Sequence, residues 1–214
     1  MIRKDFDTKI SAEIYLIGEK IRMEKGYLTR SEREELKPYL GKPELLLKKI
    51  ESIPVKETSL PIVTDRALLK HPSASVVPED NIKNIIRELK NAVVNNPSSI
   101  GLSAPQIGFQ KKISYIKVPF VNSKTNTVEY NEMILINPKI IEASKLYVLK
   151  GEGCCSFPGI RIDTDRYVFI TVEYLDENLK PQTYLSQDME AFAIQHEVDH
   201  LNGVLLFDRK HKAR

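Results

Sequence analysis

The sequence predicts an α+β fold, and three observations carry that reading. Two amphipathic helical segments stand far apart, one at 81–94 and one near the end of the chain. Short Ile- and Val-rich runs with the period of two expected of strands lie between them. Gly- and Pro-bearing stretches separate those runs. At 214 residues the chain is long enough for one core-bearing domain with an appendage.

The appendage is residues 1–57, read as a charged helical extension ahead of a main domain at 58–214. Ile10, Ile14, Ile17 and Ile21 recur at helical steps and form one apolar stripe that ends at Gly26. Ser31 with Glu34 is a capping-box pattern for a second short helix, which Pro38 ends. Pro43 suits the first turn of a third, through ELLLKKI. The stripe is expected to pack on the chain's own body; a partner-binding arm is the other reading.

Pro54 and Pro61 flank an extended linker. In NIKNIIRELKNAVV, Ile82, Ile85, Ile86, Leu89 and Val93 share one helical face, and NNPSS closes the helix. The Gly-rich, Pro-bearing stretch SSIGLSAPQIG reads as a loop. Strands are expected over Lys112–Val118 and Met133–Asn137, both bounded by Pro. A third is expected in YVFITVEYLD, where Val168, Ile170, Val172 and Tyr174 share a face. Ser186 is a candidate cap for the last helix, and Gly203 lies just beyond its end.

Charge and cysteine usage remove several function classes. Thirty-two basic against 29 acidic residues leave +3, with no electrostatic case for nucleic-acid binding. The basic run Arg209–Arg214 reads as a solvated tail. Cys154 and Cys155 are the only cysteines and are adjacent, so no disulfide framework is expected. Asp5, Asp7 and Glu13 interrupt the beginning of the chain, which does not read as a signal peptide. No apolar run approaches the ~18 residues needed to span a bilayer. A cytoplasmic protein without a membrane role is expected.

The chemistry is concentrated in QHEVDHLNG, residues 195–203. On a helix, His196 and His200 at i and i+4 bring both imidazoles to one face. Glu197 stands beside the first, and H-E-x-x-H is a known means of holding a metal next to a general base. Met189, Phe192 and Ala193 share that face, so the histidines should point into the protein. Two hydrogen-bonded core histidines would read the same way singly; their spacing around Glu197 favours a metal. GEGCCSFPG, residues 151–159, offers Cys154 as a third ligand, since thiolate binds zinc or iron well. Two His and one Cys leave a fourth tetrahedral position for water, the arrangement of a catalytic site. A zinc endopeptidase is the rival enzyme class, but it needs a His or Glu beyond the helix. After His200 this chain offers only His211.

Three stretches together resemble the peptide deformylase family. GLSAPQ (Gly101–Gln106), EGCCS (Glu152–Ser156) and QHEVDHLNG are similar to its three motifs and occur in its order. Pro158, Arg161, Arg166 and LLFDR extend the resemblance over about 58–214. It implies antiparallel sheets around a central helix carrying HExxH, with the helical extension added in front. It implies Cys154, His196 and His200 as ligands of one divalent metal per chain, Fe²⁺ first, with Zn²⁺ or Ni²⁺ able to substitute. Glu197 is implied as catalytic acid/base, with Gln106 and the Cys155 N–H as oxyanion donors. Ile100 and Gly101 match positions whose backbone pairs with the peptide, and Arg161 a residue of the groove. Met189, Phe192 and Ala193 match the methionine pocket, and Glu152 with Arg166 a structural ion pair. The implied reaction removes the formyl group from N-terminal formyl-methionine of newly made polypeptides and releases formate. Nascent peptides are therefore the implied partner, and the ribosome a further one. The other reading is a catalytically altered deformylase-like protein that binds peptides or the ribosome. Ser99, Ser103 and Cys155 depart from the motifs, which have glycine, alanine and leucine there.

Overall fold

Antiparallel pairing organises the described residues: five strands form one sheet in the order β1-β2-β3-β4-β5, each bonded to its neighbour in sequence. The strands are β1 (Gly101–Ser103), β2 (Ile113–Asn122), β3 (Thr127–Glu152), β4 (Ile162–Leu175) and β5 (Pro181–Gln187). Among the described residues three α-helices accompany them: α1 (Arg66–Leu69), α2 (Ile82–Val94) and α3 (Asp188–Leu201). The structure is a computed structural model and describes residues 60–96 and 98–212, with the isolated positions 38, 42 and 45. The chain divides between Thr58 and Ser59. The three helices expected before residue 58 otherwise fall outside the described residues.

The period of two in β2 sorts the core into two layers. Ile113 and Tyr115 point to α2, where Ile85, Leu89 and Val93 are buried against them. Ile116 and Val118 point the other way, to Ile194 and Val198 of α3. Full burial of each such side chain contributes roughly 1.5–3 kcal/mol, so both helices are held by their apolar faces. All five residues expected on the apolar face of α2 are buried. Along β4, Val168, Ile170 and Val172 are buried while Tyr167, Phe169 and Glu173 are exposed.

Several expectations need correction. β2 runs past Pro119 to Asn122, because beyond β1 it has β3 on one side only and a missing N–H is tolerated at a free edge. β3 continues past Asn137 and Pro138 to Glu152 and is 26 residues long in all. Its register shifts between Ile136 and Lys139, where it changes from pairing with β2 to pairing with β4. Asn137 there has φ 51°, and its side chain bonds both backbone groups of Val76. SSIGLSAPQIG contains β1 and a 3-10 turn, Ala104–Ile107, ended by Gly108 at φ 88°. Ser186 belongs to β5, paired with Ile170, so it does not cap α3. Its hydroxyl donates to Glu190 Oε2 at 2.8 Å. The basic run is docked in part: Arg209 bonds Asp199, and His211 meets Asp165 at 2.7 Å.

Candidate metal centre and active site

α3 carries H-E-x-x-H, and the segment after β3 brings Cys154 to it. One ligand atom each from Cys154, His196 and His200 lie within 4.8 Å of one another. Cys154 Sγ is 3.2 Å from His200 Nε2, and the two imidazole centroids are 4.9 Å apart. The donor set, one thiolate-forming sulfur and two imidazoles, fits a borderline divalent ion. Both cysteines are free.

Electrostatics favour a cation there. Burial disfavours charge on His196, yet its bonds to Cys154 and Glu152 hold its pKa well above the ordinary histidine value. Burial and nearby positive charge push His200 well below it, the neutral form a ligand needs. His196 Nδ1 is tied to Glu152 Oε1 at 2.5 Å, which leaves Nε2 for an ion. Glu152 is in turn gripped by Arg166 through Nε at 2.9 Å and Nη2 at 2.7 Å, and by the Thr164 hydroxyl. Arg166 Nη1 also donates to Asp199 at 2.6 Å, and its side chain is buried. Hydrogen bonds and charge from His196 and Arg166 hold the Glu152 carboxyl far below the carboxylate range, against the opposing effect of its own burial.

Glu197 is buried, and its Oε2 has no hydrogen-bond partner. Burial raises its pKa from 4.5 to about 7, although His196 and Ser103 pull it down. Such a group can take a proton and return it near neutral pH. A Cβ at position 101 would stand 3.1 Å from Glu197 Oε1, so glycine lets β1 pass close over the carboxylate.

Gln106 is oriented by its neighbours. Its Oε1 accepts from Ser103 N–H at 2.9 Å and from Ser103 Oγ at 2.8 Å. That leaves Nε2 to donate toward Ser156 Oγ at 3.3 Å and Cys154 Sγ at 3.5 Å. An amide donor is thereby aimed at the centre.

A groove of about 640 Å³ runs past these residues. Gln106, Cys154, Cys155, His196 and Glu197 line it, while His200 stands behind. Ile100, Gly101 and Arg161 line it from β1 and from the chain ahead of β4. Phe192 and Ala193 line it from α3, with Tyr147 stacked on Phe192 at 5.8 Å. Met189 also lines it but is 52% exposed, at the rim rather than inside as expected, because it sits in the first turn of α3. Gly153 makes room for Arg161, whose Nη1 would be 2.0 Å from a Cβ there. Sequence reasoning missed the tie of Glu152 to His196 and the orienting contacts of Ser103, Ser156 and Tyr147. These join distant segments, and no spacing rule connects them.

Comparison with known proteins agrees with the geometry. A profile of the polypeptide deformylase family matches residues 59–214. Peptide deformylase 1 of a Nostoc species is 34% identical over 162 residues, covering 76% of this chain and 82% of its own. The Met-Ala-Ser-bound class I type b peptide deformylase of Acinetobacter baumannii superposes with TM-score 0.63 at 26% identity. That match covers 72% of this chain and 99% of that one. The peptide deformylase of Synechococcus elongatus in complex with actinonin gives TM-score 0.61 at 33% identity, over 75% and 86% of the two chains.

Proposed function

The chain belongs to the polypeptide deformylase family, and on that premise we propose how its own residues carry out the family's reaction. It is a peptide deformylase, an amide hydrolase acting on formyl-methionyl peptides and releasing formate. The observation that carries the residue assignment is the convergence of Cys154, His196 and His200 beside the unpartnered Oε2 of Glu197.

Cys154, His196 and His200 hold one divalent ion, Fe²⁺ in this proposal, with Zn²⁺ or Ni²⁺ able to replace it. Bound there, the ion supplies Lewis-acid activation of a water and of the formyl oxygen. Gly101 at the open edge of β1, with Ile100 just ahead of it, aligns the peptide as an added strand, with Arg161 along the groove. Phe192 and Ala193, with Met189 at the rim, receive the methionine side chain. Glu197 takes the proton of the attacking water, its raised pKa matching that task near pH 7. Gln106 Nε2 and the Cys155 N–H donate to the oxygen on which charge gathers; loss of one such donor is worth about 3 kcal/mol of barrier. Glu197 then delivers its proton to the departing amine, which completes the cycle.

The match over 59–214 supports reading 58–214 as the catalytic domain and 1–57 as an extension. Nascent chains as substrate imply a cytoplasmic enzyme working near ribosomes. Among the described residues no helix is long and apolar enough to cross a membrane. The alternative, an altered peptide-binding relative, is not favoured by relatives that carry the enzyme's name. The test is formate release from formyl-Met-Ala-Ser by the full chain loaded with Fe²⁺, Ni²⁺ or Zn²⁺. Glu197→Gln should keep stoichiometric metal and lose roughly 10²–10⁴-fold in turnover. Near-normal turnover in that variant would falsify the role of Glu197.

A further inference from the structure

Two departures from the family motifs touch each other at the rim of the groove. Ser99 stands where the first motif has its leading glycine, and Cys155 where the second has leucine. β1 is an edge strand, with β2 on one side and no strand on the other among the described residues. The Ile100 carbonyl accepts from Lys117 N–H at 2.9 Å, across to β2. By alternation Gly101 and Ser103 turn their backbone groups to the open edge. Ser103 does so visibly, its N–H reaching Gln106 Oε1. The Gly101 carbonyl is met at that edge by Ser99, whose Oγ donates to it at 2.6 Å.

A peptide added alongside β1 needs an acceptor at that same edge. The Ser99 hydroxyl has a single proton. The half-buried Cys155 thiol is also within hydrogen-bonding reach of Ser99, and both residues line the groove with Gly101. Ser99 therefore has two places to put its proton, a carbonyl oxygen and a sulfur, of which sulfur is the weaker acceptor.

We propose that Ser99 is a positioning residue that acts as a latch on the peptide-binding edge. Its hydroxyl closes on the Gly101 carbonyl in the free enzyme and turns to Cys155 Sγ when a peptide N–H takes that carbonyl. No covalent bond changes; one hydrogen bond is exchanged for a weaker one, so the latch raises KM. The inference rests on the peptide groove proposed above. It gives Cys155 a second role beside its backbone N–H: its sulfur receives the displaced hydroxyl and eases opening.

The test is KM and kcat for formyl-Met-Ala-Ser with the full, metal-loaded chain. Ser99→Ala should lower KM about two- to tenfold, the worth of one exchanged hydrogen bond, and hold kcat within about twofold. Ser99→Thr keeps the hydroxyl and should retain the wild-type KM. Cys155→Ala should raise KM when Ser99 is present and leave it unmoved in Ser99→Ala. An unchanged or raised KM in Ser99→Ala overturns the latch. So does a Cys155→Ala effect of equal size in both backgrounds, which would mean a change of pocket shape alone. If the wild-type chain releases no formate, the proposed function fails while the latch is still tested. Calorimetric titration of Met-Ala-Ser into the same variants then reads the same ratios as dissociation constants.

Discussion

Behind the α3 side of the groove one charge network is answered at close range, while Glu197 Oε2 and His200 Nδ1 are left without partners. Glu152 meets His196, Thr164 and Arg166, and Arg166 meets Asp199, all buried below a tenth of their full exposure except His196 at 12%. On the opposite side the lining is Ser99, Cys155 and Arg161, all partly or fully open to solvent, and exposed Met189 from the first turn of α3 joins them at the rim. The first wall is a closed charge network in a low-dielectric interior, where each member fixes the next. The second is a set of adjustable contacts. Ligand geometry is thus over-determined, while the peptide side is left to single hydrogen bonds that one substitution can retune.

The sharpest way to break this contrast is to remove the hub of the first wall. Arg166→Met leaves Glu152 and Asp199 buried without their shared cation, Glu152 keeping only His196 and Thr164 and Asp199 keeping Arg209. Breaking a buried pair in this way costs about 3–5 kcal/mol. Metal affinity should fall by roughly 10–100-fold, because Glu152 no longer holds His196 in one orientation. Lys150→Met is the control: it removes the Lys150–Asp163 pair, whose side chains are 72% and 45% exposed. Denaturant unfolding should show little or no change for that variant, since an exposed pair is screened by solvent. Equal losses in the two would mean that the buried network does not organise the centre.

The next effect is pH dependence, and it belongs to Glu197. An unfolded glutamate titrates near 4.5, whereas burial holds this one at about 7. Between those values the unfolded chain gives up the proton and the folded one keeps it, so folded stability falls as pH rises. The gap corresponds to about 3 kcal/mol, all of it present below pH 4.5 and lost by pH 7. Glu152 has the opposite sign, but its pKa lies lower still, so its contribution is complete below this window. His196 adds to the fall above its ordinary value of 6.5, and His200 opposes it below. The difference between wild type and Glu197→Gln, both stripped of metal by chelation, isolates the glutamate together with its coupling to His196. Relative to the variant, wild type should lose about 3 kcal/mol from pH 4.5 to 7.5. A flat difference would show that Glu197 is not desolvated in solution.

The same contrast explains which parts were legible in the sequence. Periodicity exposed α2 because one face is buried, and β4 because Val168, Ile170 and Val172 alternate with exposed residues. β1 was hidden because three residues within a Gly- and Pro-bearing stretch have no period to detect. Most of β3 was hidden because its second half is largely exposed, so Lys, Glu and Ser interrupt any apolar alternation. HExxH could be read because both ligands lie four apart on one helix. The tie of His196 to Glu152 spans 44 residues, and that of Gln106 to Ser156 spans 50. Such contacts are made by sheet register and helix packing, which no local pattern encodes.

The smallest effect is expected at the rim, and it separates two residues that the helical period places on one face. Phe192 is 9% exposed and stacked on Tyr147, whereas Met189, three residues earlier, is 52% exposed. Only the part of a side chain removed from water contributes to binding or stability, at roughly 25 cal/mol per Å². Met189→Ala should therefore change unfolding free energy by no more than about 0.5 kcal/mol. Its KM for formyl-Met-Ala-Ser should move by about twofold or less, since one weak rim contact is worth well under a factor of ten. Phe192→Ala removes an aromatic side chain from a packed wall and should lower stability by several-fold more than Met189→Ala in the same unfolding experiment. If Met189→Ala instead matches Phe192→Ala in both readouts, the methionine must fold inward once peptide is bound. The peptide-facing wall would then be as tightly determined as the metal-facing one.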